Sequence, residues 1–153
     1  TGFLCAARFL RCKIEHKTCR ILTTSATDDH LDVLWAEINH FVATAKVPLT
    51  AQRGGPLVVT HHKIRLAEEP DQEDITNLKS YVKGQVTKTD SRGEGLQGHH
   101  AEDTLAVGDE ASGLPDITHS MFQGWAKRKL YISNCNECSN FFRKAVALGD
   151  LAA

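Results

Sequence analysis

Cys135 and Cys138 form a single C-x-x-C pair inside LYISNCNECSNFF, residues 130–142. That spacing serves a metal site, a dithiol–disulfide couple, or no chemistry at all. Two thiolates cannot complete a tetrahedral zinc site, and a catalytic zinc keeps three protein ligands with one position open to water. A third ligand is on offer in HHAED at 99–103, where His100 is followed two residues later by Glu102. Zinc lowers the pKa of bound water toward neutrality. A carboxylate two residues from a histidine ligand can reach that water and move its proton without binding the metal.

The elements that must position these residues follow from pattern. Residues 3–13 have helical spacing, and CRILTT at 19–24 is a short strand. TDDHLDVLWAEINHFVATA at 27–45 is the clearest helix, with Thr27 as cap and Asp28 and Asp29 in its first turn. Leu31, Leu34, Ile38, Phe41 and Val42 make its apolar stripe, which Trp35 widens as a core residue. QRGGP at 52–56 is a turn. LVVTHHKIRL at 57–66 reads as one strand, which would send His61 and His62 to opposite faces and away from a common metal. EEPDQED is an acidic loop, and residues 80–98 have the glycines and turn residues of a hairpin. HHAEDTLAVGDEA at 99–111 reads as a helix, as does DITHSMFQGWAKR at 116–128. KLYIS is a strand, and CSNFFRKAVALGDL closes the chain as a helix. Strands alternating with helices predict an α/β fold in one domain over 1–153, a central mixed β-sheet flanked by helices.

The two motifs occur in a set order, H-x-E at 100–102 and then C-x-x-C at 135–138 between a strand and a helix. In this the chain resembles the cytidine-deaminase-like superfamily of zinc-dependent deaminases, over about residues 80–148. It looks most like the divergent bacterial-toxin and organelle RNA-editing branches, which often lack the proline before the first cysteine; Asn134 stands there. The resemblance implies His100, Cys135 and Cys138 as ligands to one zinc per chain and Glu102 as the catalytic proton shuttle. It implies hydrolytic deamination of a cytosine- or adenine-type base, as a nucleobase, a nucleoside or part of a single-stranded nucleic acid.

Two other readings stand beside it. In one, the chain is a non-catalytic soluble α/β domain whose Cys135 and Cys138 are ordinary thiols. In the other they form a thiol–disulfide module, although Glu137 between them would oppose a lowered thiol pKa. A closed structural zinc site would need a fourth ligand, with His99 or His119 the nearest choices. No Walker loop, G-x-G-x-x-G fingerprint or G-x-S-x-G elbow occurs in the 153 residues.

Bulk composition limits the partners. A net charge of −1 lacks the basic excess of a duplex-binding protein. The densest basic cluster, Lys127–Lys129, reads as a solvated strand entrance. No apolar run approaches the roughly 18 residues of a membrane span. The amino-terminal apolar run is broken by Arg8 and Arg11, unlike a signal segment. The chain opens on Thr rather than Met, as a processed, excised or artificial chain would. Five cysteines do not suit a secreted disulfide scaffold. Cys5, Cys12 and Cys19 read as packing thiols in a reducing compartment.

Overall fold

The computed structural model describes residues 1–70, 77–87, 95–134 and 139–150, the side chains of 148–150 excepted. Helix α1 (Gly2–Ile14) leads to strand β1 (Cys19–Thr24) and then to helix α2 (Asp28–Thr44). Strands β2 (Leu57–Thr60), β3 (Lys63–Leu66), β4 (Tyr81–Gly84) and β5 (Asp103–Asp109) follow. Helix α3 (Asp116–Trp125), strand β6 (Arg128–Ile132) and helix α4 (Phe141–Asp150) complete the order. The strands form one mixed sheet in the order β2-β3-β4-β1-β5-β6. β4, β1, β5 and β6 run parallel, and β2 and β3 are antiparallel additions. The expected mixed α/β sheet with flanking helices is what forms. Among the described residues no helix is long and apolar enough to cross a membrane.

Period-two alternation assigns each strand residue to a face. On β1 and β5, Cys19, Ile21, Leu105 and Val107 enter the core cluster shared with α1 and α2. Leu22 and Ala106 point the other way, against Met121, Phe122 and Trp125 of α3. Trp35 is buried, as its place on the α2 stripe predicts, and its indole Nε1 donates to Thr23 Oγ1 at 2.9 Å. It lies so close over β4 that a Cβ at Gly84 would stand 2.2 Å from that nitrogen. The Thr27 cap of α2 also forms, its side chain accepting from His30 N. Phe41, expected in the stripe, is instead 42% exposed and meets Phe3 of α1.

Three expected elements are corrected. Residues 103–109, read as part of a helix, are central strand β5. An apolar run without alternation suits a parallel strand covered on both faces, and TLAVG is buried throughout. Residues 80–98 do not form the expected hairpin among the described positions: β4 pairs in parallel with β1 and antiparallel with β3. LVVTHHKIRL is a tight hairpin of β2 and β3, with His61 and His62 at its turn. His62 takes the left-handed φ of 53° that lets the chain reverse there.

Candidate functional site at the carboxyl edge of the sheet

Parallel topology sorts the molecule into two ends. α2, α3 and α4 each follow a parallel strand, so their amino ends sit at the carboxyl edge of the sheet. α1 enters β1 through a short turn, and its first turn packs on Ile38 and Phe41 in the second half of α2. Helix amino ends carry partial positive charge and free N–H groups. After β1 the chain crosses to the β2–β3–β4 side, whereas after β5 it crosses to β6. Ligands of open α/β sheets occupy the crevice at such a divergence, outside the carboxyl ends of the strands.

The side chains there are polar and incompletely satisfied. Thr24 pairs with Gly108, so the next residue in register, Ser25, comes beside Asp109. Ser25 is fully buried, and its Oγ has no hydrogen-bond partner among the described residues. Alternation puts Asp109 on the same face as Leu105 and Val107, toward α1 and α2. Burial raises the Asp109 carboxyl above the ordinary aspartate value, and Glu110 raises it further. The Glu110 backbone N–H, and after it His30 in the first turn of α2, pull it back. Glu110 has a left-handed backbone with φ 50° and ψ 49°, uncommon for a residue with a Cβ. It turns the chain sharply from β5 toward α3.

The chain around Asp109 is tied down. Thr24 Oγ1 and Thr87 Oγ1 are 2.7 Å apart, and Thr87 N donates to Ser25 O. Ser112 Oγ and Ser133 Oγ are 2.7 Å apart, and Ser133 Oγ donates to Glu110 Oε2 at 3.4 Å. Asn140 Nδ2 donates to the carbonyls of Ala111, Ser112 and Leu114. A Cβ at Gly108 would press on Tyr131 and Leu114. The chain next to Asp109 is therefore packed as closely as glycine permits.

Compared with known proteins, the chain matches no family model, no curated protein and no solved structure. The site is therefore read from geometry alone.

Of the motif residues from the sequence, His100 and Glu102 are described. Cys135 and Cys138 lie outside the described residues. Their described neighbours Asn134 and Asn140 flank the carboxyl edge, after β6 and before α4. His100 and Glu102 precede β5 and sit at the amino edge on irregular chain, not on the helix expected for them. β5 spans seven residues, or about 20 Å. The structure thus brings His100 and Glu102 near each other but places them at the far end of the strand from Asn134. Both are exposed. The Glu102 carboxylate accepts from Thr18 N at 2.8 Å and Thr18 Oγ1 at 3.0 Å, and these bonds hold its pKa below the usual glutamate range. His100 lines an open cleft of about 450 Å³ with Ile117, Met121 and Trp125. The two alternative structural ligands are engaged elsewhere. His99 is buried between Tyr81 Oη and Gly95 O, and His119 meets Tyr131 Oη at 2.8 Å.

A helix over 99–111 hides that Asp109 and Glu110 stand at the end of a covered strand. The signal was available: a five-residue run, TLAVG, ending on two carboxylates. An apolar run of strand length bounded by charge is a covered strand as readily as a helical turn.

The thiols near β1 offer a different chemistry. Cys12, Cys19 and Asp103 present ligand atoms within 4.8 Å of one another. Arg8 already grips the Asp103 carboxylate through its guanidinium, with Arg128 3.5 Å away. Burial raises both thiols. This group keeps its protons and its arginine, and all three cysteines of this region pack in the core as expected.

Proposed function

We propose that the carboxyl-edge crevice binds a nucleoside triphosphate with magnesium and hydrolyses its terminal phosphate. The observation that supports this most directly is that Asp109 ends β5 one residue beyond its register with β1, where the buried Ser25 has an Oγ without a partner among the described residues, near His30 in the first turn of α2. A covered strand ending on an aspartate, beside a serine or threonine hydroxyl, is how one large class of phosphoryl-transfer enzymes holds magnesium. Asp109 and Ser25 are the ligands to the cation, whose charge offsets the cost of a buried carboxylate. The helix amino ends face the phosphate oxygens. Glu110 orients the attacking water and accepts its proton as the bond from the terminal phosphorus to the leaving diphosphate oxygen breaks. The 153 residues contain no glycine-rich phosphate loop, so the phosphate contacts assigned within this chain are backbone N–H groups.

Titration of a fluorescent nucleoside triphosphate, with and without magnesium, tests the reading. Binding should require magnesium and should fall by about a hundredfold or more in Asp109→Asn. Glu110→Gln should bind normally and lose phosphate release. Equal affinity in wild type and Asp109→Asn would overturn the proposal.

Zinc-dependent deamination is the rival reading, and the order of the two motifs supports it. It requires His100 and the thiolates of Cys135 and Cys138 around one metal, with Glu102 released from Thr18. One zinc per chain, lost on Cys135→Ala and on His100→Ala alike, is its expected signature. A chain with no zinc and an unchanged metal content in both variants would exclude it.

A further inference from the structure

The hairpin correction brings together three residues that the sequence separates. Asp32 lies in the second turn of α2, and His61 and His62 form the β2–β3 turn. Their rings stack with centroids 3.9 Å apart and an interplanar angle of 32°. Each Nε2 lies near the same carboxylate oxygen, Asp32 Oδ1, at 3.5 Å from His61 and 2.7 Å from His62. All three ligand atoms lie within 4.8 Å of one another.

An ordinary ion pair explains this arrangement incompletely. The His62 Nε2 is buried, and despite its short distance from Oδ1 it makes no aligned hydrogen bond. A metal ion removes this difficulty, because an imidazole nitrogen presents its lone pair to it. Two ligands at about 2.0 Å in tetrahedral geometry stand about 3.3 Å apart. The observed separations of 2.7 and 3.5 Å bracket that value. The surroundings fix the ligands. The His62 ring packs on Trp35, with centroids 5.7 Å apart, and its carbonyl accepts from Gly84 N at 2.8 Å.

We infer that Asp32, His61 and His62 bind one divalent transition ion of the zinc class, with the remaining coordination positions open to water. Imidazole nitrogens with one carboxylate suit zinc, nickel or copper and do not suit magnesium or calcium. The ion joins the β2–β3 hairpin to α2, two elements that also share one core cluster. It lies apart from Asp109, on the antiparallel side of the sheet, so it does not depend on the nucleotide reading.

Zinc alone, titrated into the full chain without an affinity tag, tests this. Cobalt(II) serves as the spectroscopic substitute. Wild type should bind zinc and gain thermal stability as zinc rises, because an ion held only by the folded state stabilises it. His61→Ala and Asp32→Asn change exposed residues. Each should weaken the binding by about tenfold or more and remove the zinc-dependent rise in melting temperature. The cobalt spectrum should show d–d bands without the sulfur charge-transfer band that cysteine ligation would add. Binding unchanged in both variants, or a cobalt spectrum dominated by sulfur ligation, would overturn the inference.

Discussion

The two ends of the parallel sheet spend their charges differently. At the amino edge Asp103 holds Arg8 and Arg128 and Glu102 holds Thr18, while Glu69 accepts from Ser80 N and keeps one buried oxygen without a partner among the described residues. Lys127 Nζ donates to Glu102 O at 2.6 Å. At the carboxyl edge Asp109 is partly buried beside Glu110, Ser25 Oγ has no described partner, and Glu110 has a left-handed backbone. Satisfied polar groups contribute to folding, whereas strained or unsatisfied ones persist because something else requires them. The nucleotide proposal places its ligand chemistry at the second edge, where an unpartnered hydroxyl and a left-handed Glu110 adjoin the end of β5.

The largest effect that would break this comparison lies at the carboxyl edge. Asp109→Asn should cost about a hundredfold or more in magnesium-dependent nucleotide affinity, measured by titration, while the chain stays folded. Next comes the amino edge. Asp103→Asn leaves the Arg8 guanidinium partly buried without its counter-charge. It should destabilise by about 2 kcal/mol in denaturant unfolding, less than a fully buried pair would lose, and nucleotide affinity should be unchanged. If Asp103→Asn instead abolished binding, the division of labour between the edges would fall.

The smallest effect is one of sign, and it sharpens the comparison most. Glu102 has a lowered pKa in the folded chain. Its contribution is present above the unfolded value, near 4.3, and is lost as pH falls through the folded one. Asp109 has a raised pKa. Its contribution is present below the unfolded value, near 3.9, and is lost as pH rises through the folded one. In magnesium-free buffer, Glu102→Gln should therefore lower the melting temperature at neutral pH, and Asp109→Asn should raise it. Melting curves between about pH 3 and pH 7 read both signs. A gain in stability at the cost of binding is the usual mark of a functional carboxylate.

Sequence periodicity revealed helices better than strands here. α1, α2, α3 and α4 have stripes, caps or apolar faces that local pattern exposes, and Trp35 and the three buried thiols were legible as core. β5 was not, because a strand covered on both faces loses the alternation that marks a strand. That one reassignment moved H-x-E off a helix and hid Asp109 at its end. The hairpin at His61–His62 was missed for a related reason. Two short strands joined by a two-residue turn without glycine read as one continuous strand. Parallel pairing of β4 with β1 joins residues 60 or more positions apart, which no local pattern encodes. The pair Cys135–Cys138 was legible as a motif, and its flanks return to the edge where Asp109 sits.

Strand β6 has a consequence for how the molecule behaves among its own copies. Among the described residues it pairs only with β5, so its outer row of backbone groups borders the sheet. It opens on Arg128 and Lys129, both exposed. Two copies meeting along this border would bring cationic side chains against one another, and such edge charges are an effective barrier to strand-on-strand growth. The barrier is electrostatic and therefore depends on ionic strength, since salt screens exposed charges over about 10 Å at 0.1 M. Colloidal stability of this chain should accordingly be greatest in dilute buffer, with self-association rising as salt is added.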